Sequence, residues 1–135
     1  MPDSPRVLVC DDDEGIRLLL ISLLEAEGFT VSCAEDGPSC IAAVEQDPPD
    51  VLVLDVMMPG MDGYQVMETL RAEHGDNVPN VVMLTAMATD EDVWRGWRAG
   101  VHYYMTKPFE PDELIRFTHF LAGSSAGDEE EALRD

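Results

Sequence analysis

Lysine is nearly missing from this chain. Its 135 residues hold eight basic side chains against 28 acidic ones, and Lys107 is the one lysine among them. The formal net charge is −20, which repels nucleic-acid phosphates and anionic lipid and argues against direct nucleic-acid binding. Cysteine is scarce too. Cys10, Cys33 and Cys40 are odd in number and lack metal-ligand spacing, so they read as small buried hydrophobes in a reducing cytoplasm. No apolar run approaches membrane-span length; "LLLISLL" at 18–24 is far too short. The first residues include Asp3 and carry no basic segment ahead of an apolar one, so no signal peptide is expected.

What is present is a core-forming chain with 45% apolar residues, enough for one globular domain. Strand patterns fall at 6–10, 30–34, 50–55, 80–85 and 102–106. Helical patterns fall between and after them. The first runs from 14 to 27 behind Asp13, with Ile16, Leu19, Leu20, Leu23 and Leu24 inward and Gly28 closing it. The second runs from 37 to 46, with Ile41 and Val44 inward. The third, from Asp62 to 73, turns Val66, Met67 and Leu70 inward. The fourth reaches Ala99 from a Thr89–Asp92 capping pattern. The last starts at Pro111, with Leu114, Phe117 and Leu121 inward. Residues from about 123 onward read as an acidic, disordered tail. The domain therefore spans 1–122 and the tail 123–135.

Strands alternating with helices give an α/β domain with a parallel sheet. Strands one, three and four are near-continuous apolar runs, as sheets covered on both faces require. Right-handed crossovers make the sheet doubly wound, with the flavodoxin-like order 2-1-3-4-5 expected. Ligands in such sheets bind beyond the carboxyl ends of the strands. The residues at those ends are Asp11 and Asp12, Asp55, Thr85 and Lys107. Carboxylates about 4 Å apart repel by roughly 4 kcal/mol at an effective dielectric of 20, so a crowd of them needs a cation. An all-oxygen site suits Mg²⁺, and a metal-paired carboxylate can then act as a nucleophile toward phosphorus.

The segments "VLVCDDDEGIR", "VLVLDVMMPGMDG", "VMLTA" and "YMTKPF" together resemble the receiver domain of two-component response regulators, of the chemotaxis-regulator type. The resemblance covers about residues 5–122. It implies that Asp55 takes a phosphoryl group from a histidine kinase or phosphotransfer protein. It assigns Mg²⁺ to the side chains of Asp12 and Asp55 and the carbonyl of Met57, with Asp11 beside them. It gives phosphoryl oxygens to Thr85 and Lys107, and a switch role to Thr85 and Tyr104. It implies a cis bond at Lys107–Pro108, and an effector or homodimer surface on helix four, strand five and helix five. Asp13 reads as a helix cap rather than a ligand.

The chain departs from the family before its last motif, where "GVHYY" (100–104) stands in place of an acidic pair. His102 reads as a surface histidine and Tyr103 as an exposed aromatic. Trp97 aligns with a core position, which leaves Trp94 or Val93 partly exposed. Two other classes fit the residues less well. A phosphatase with an Asp nucleophile wants a second Asp two residues on, where this chain has Met57. A flavin carrier wants a Gly-rich phosphate loop where this chain has "CDDDEG". The expectation is a cytoplasmic switch that catalyses only its own phosphorylation and slow dephosphorylation, in a receiver that either stands alone, the favoured reading, or is a fragment of a longer regulator.

Overall fold

The computed structural model describes residues 4–86 and 89–123; most of the acidic tail lies outside them. The elements run β1 (Arg6–Cys10), α1 (Glu14–Glu25), β2 (Thr30–Ala34), α2 (Gly37–Gln46), β3 (Val51–Asp55), α3 (Gly63–His74), β4 (Asn80–Thr85), α4 (Asp90–Ala99), β5 (Tyr103–Thr106) and α5 (Pro111–Gly123). The strands form one parallel sheet in the order β2-β1-β3-β4-β5. The expected fold class is the observed one.

The alternation inside β1, β3 and β4 explains why these strands are apolar throughout. Val7, Val9, Val51, Val53, Val82 and Leu84 point to one face, where Leu20, Leu24, Leu114 and Leu121 cover them. Leu8, Cys10, Leu52, Leu54, Val81 and Met83 point to the other, under Val44, Val66, Met67 and Leu70. Side chains alternate across a strand, so covering both faces buries every position.

Helix starts follow the caps read from sequence. Asp13 accepts from the Ile16 amide, which makes it a cap as expected. Asp62 and Gln65 form a full capping box on α3, and Thr89 accepts from Asp92 on α4. Helix α1 ends at Glu25, two residues earlier than expected. Glu27 and Gly28 donate to Leu24 and Glu25 in tighter i→i−3 bonds, and Gly28 leaves at φ +92°. The Lys107–Pro108 bond is cis.

Several packing expectations are corrected. Leu19 is 45% exposed, because Leu20 and Leu24 define the inward stripe of α1 and Leu19 sits a helical step, about 100°, away from Leu20. Trp97 is 49% exposed and Trp94 is 67% exposed. Helix α4 instead presents Gly96 and Ala99 inward, and a Cβ at 96 would lie 2.8 Å from the Tyr104 ring. An approach that close leaves no room for an indole. Tyr103 is half-buried rather than exposed, stacked on Phe117 with ring centroids 4.0 Å apart. His102 is half-buried and structural: its Nδ1 accepts the Val81 amide at 3.1 Å. Cys10 and Cys40 are buried as expected, but Cys33 on β2 is exposed.

Candidate functional site

The carboxyl ends of β1, β3 and β4 bring the expected residues together. Asp11 directly follows β1, Asp55 closes β3 and Thr85 closes β4; all three are buried. Asp12 is exposed at the rim. Oxygens of Asp11, Asp12 and Asp55 lie within 4.8 Å of one another. Lys107 enters from the loop after β5, where its amide donates to the Thr85 carbonyl at 2.7 Å. Its Nζ lies 2.8 Å from Asp11 Oδ2 and 3.3 Å from Asp55 Oδ1.

Backbone amides reach the two buried carboxylates. The Asp13 amide donates to Asp11 Oδ1 at 2.9 Å, which leaves Oδ2 for Lys107. The Met57 amide reaches Asp55 Oδ1 at 3.4 Å. The loop after Asp55 turns back on itself, with the Gly63 amide donating to the Val56 carbonyl at 2.9 Å. A Cβ on Gly63 would lie 2.6 Å from the Asp55 carbonyl oxygen. The second glycine of "PGMDG" is thus required by close backbone approach under the carboxylate.

Burial pushes the Asp55 carboxyl up to about 6, and the charge of Asp11 pushes the same way while Lys107 opposes both. Burial pulls the Lys107 ammonium down, but its bond to Asp11 and the charge of Asp55 outweigh this and hold it above its ordinary value. One ammonium therefore does not neutralise the cluster. The donor set fits Mg²⁺: hard carboxylate oxygens from two strand ends, a partly open rim at Asp12, and excess negative charge. A second cluster, Glu45, Glu73 and His74, is surface-exposed, and its members already pair with one another.

Two participants were missed in the sequence. Arg17 on α1 donates to the Asp11 carbonyl at 2.8 Å. Tyr64 in α3 is buried, and its hydroxyl lies 2.7 Å from that of Tyr104. No spacing rule would have found either one, since both act through contacts distant in sequence or through backbone. Tyr104 is half-buried, and the Thr85 hydroxyl is near enough to act on its phenol.

Residues 7–119 match the family model for the response regulator receiver domain. The chain is 43% identical over 110 residues to the DNA-binding response regulator MtrA of Mycolicibacterium paratuberculosis, covering 82% of this chain and 48% of that protein. It is 40% identical over 112 residues to the regulatory protein VanRc of Enterococcus gallinarum, covering 83% and 47%. The chain thus spans about half the length of these curated relatives. Among solved structures, a Francisella response regulator receiver domain superposes with a TM-score of 0.82 at 34% identity, covering 88% of this chain and 97% of that one. Chemotaxis protein CheY4 of Vibrio cholerae gives 0.80 at 28% identity, covering 86% and 97%. With the sheet order and the strand-end acids already in place, the chain belongs to the response regulator receiver domain family, whose general function is a phosphorylation switch in two-component signalling.

Proposed function

We propose that Asp55 is the phosphoacceptor and that Asp11, Asp12, Asp55 and the Met57 carbonyl hold Mg²⁺ beside it. The observation that carries this is the Lys107 ammonium set between two buried carboxylates, with a third carboxylate at the rim. Bound Mg²⁺ would neutralise carboxylate charge and allow a phosphate to approach. An Asp55 oxygen attacks phosphorus as the bond to the donor's imidazole nitrogen breaks, and that nitrogen keeps the electron pair. Lys107 exchanges one carboxylate partner for a phosphoryl oxygen. The Thr85 hydroxyl donates a hydrogen bond to another phosphoryl oxygen. Tyr104 on β5 stands beside Thr85 and registers that change.

The donor is a histidine kinase or phosphotransfer protein in the cytoplasm. The output face is α4, β5 and α5, where exposed Trp94 and Trp97 lie beside half-buried Val93. Exposed aromatics on so acidic a protein suit an effector or a second copy of the chain. Direct nucleic-acid contact by this domain is disfavoured by its charge. Among the described residues, no helix is long and apolar enough to cross a membrane.

Incubation with Mg²⁺ and a small acyl phosphate tests the reading. A switch accumulates one base-labile adduct and releases phosphate slowly. Many rapid turnovers would make the chain a phosphatase instead.

A further inference from the structure

Tyr64 is a second tyrosine beside the proposed switch residue Tyr104. It stands in the first turn of α3 and is 2% exposed. Its hydroxyl is 2.7 Å from the Asp92 carbonyl, in the first turn of α4, and 2.7 Å from the Tyr104 hydroxyl. A carbonyl only accepts, so the single O–H of Tyr64 is given to Asp92. Tyr104 must then donate to the Tyr64 oxygen. The two bonds link Tyr104 on β5 through Tyr64 to the first turn of α4, and the Thr85 hydroxyl at the end of β4 lies near enough to act on the Tyr104 phenol.

Two further features hold this arrangement. Gly96 leaves the space that the Tyr104 ring fills, and an added Cβ would lie 2.8 Å from it. The Arg95 guanidinium sits 4.5 Å from the Tyr64 ring centroid and is paired with Glu68 at 3.4 Å. It covers the buried ring with a cation–π contact.

We infer that Tyr64 is a positioning residue of the switch: it holds Tyr104 inward before any phosphoryl group arrives. The inference builds on the proposed site, because it takes Tyr104 as the element that reads Thr85. When the Thr85 hydroxyl turns to a phosphoryl oxygen, Tyr104 keeps its own bond to Tyr64. Phosphorylation therefore does not have to pull Tyr104 inward in this chain. The ring is already there, and the α4 face is preset. Without the Tyr64 hydroxyl, the Tyr104 O–H loses its acceptor in a partly buried site and gains by swinging out to water.

The test is proton cross-relaxation by NMR on the full chain with no phosphodonor. In wild type, Tyr104 ring protons should show strong cross-peaks to the Gly96 α-protons. Tyr64→Phe keeps the ring and removes the hydroxyl; those cross-peaks should fall several-fold and return when Mg²⁺ and beryllofluoride are added. A second variant, Gly96→Ala, favours the helix while crowding the ring. It should lose the cross-peaks between the Tyr104 and Tyr64 rings, and it decides the matter should Tyr64→Phe not fold. Cross-peaks that persist in folded Tyr64→Phe, or in Gly96→Ala, would overturn the inference, as would their absence in wild type. Loss in Tyr64→Phe without recovery on beryllofluoride would support the role of Tyr64 while contradicting the proposed phosphoacceptor site.

Discussion

Asp11 and Asp12 are neighbours in sequence with opposite surroundings. Asp11 is buried and committed to Lys107 and the Asp13 amide, whereas Asp12 is exposed at the rim. Asp12 is therefore the acid whose removal should cost metal binding with least damage to the fold. Mg²⁺ at a hundredfold its Kd would stabilise a one-site native state by about 2.7 kcal/mol. Asp12→Ala should abolish most of that rise in thermal melts with and without Mg²⁺; an equal rise in both proteins would count against the ligand set. Asp55 adds a pH signature. Its carboxyl is raised to about 6 in the metal-free fold, above its ordinary value of 3.8. The folded state thus binds this proton more tightly than the unfolded chain. The resulting stabilisation is full below pH about 4 and is lost as pH rises through about 6. Chemical denaturation without Mg²⁺ should show this loss in wild type and not in Asp55→Asn. A matching slope in both would place the titration elsewhere.

At the scale of elements, caps and alternation were readable because they are local. Asp13, Asp62 and Thr89 each bond an amide three residues on, and spacing alone exposes that. Asp62→Ala should cost about 1 kcal/mol, a fall in Tm of about 3–6 °C; a Tm within a degree of wild type would mean that Gln65 or water replaces the cap. The strand ends were readable because β1, β3 and β4 bury both faces, so a polar residue stands out where each run stops. Helix faces were harder. In α1 the run of leucines gives several possible stripes, and packing selected Leu20 and Leu24 over Leu19. In α4 the family resemblance implies an inward Trp97, yet the close approach to Tyr104 selected Gly96. Tyr103 followed the strand's alternation onto Phe117, a partner on another element. Such outcomes depend on the distance between elements, which no single segment encodes.

The whole molecule carries a net charge of −20. That self-repulsion opposes the compact state, and added ions screen it over about 10 Å at 0.1 M. Among the described residues, Arg6 pairs with Asp47, Arg71 with Asp76 and Arg95 with Glu68 at solvent-accessible positions worth little each, while Lys107 serves the buried Asp11 and Asp55. Chloride titration of Tm at fixed Mg²⁺ should show a clear rise. A flat response would mean that local pairing already offsets the net charge. The central claim is narrower than this and concerns one carboxylate among 28 acids. Wild type and Asp55→Asn, each incubated with Mg²⁺ and a small acyl phosphate, can be compared by intact mass. The account predicts one phosphoryl adduct on wild type and none on Asp55→Asn; full labelling of Asp55→Asn would contradict it.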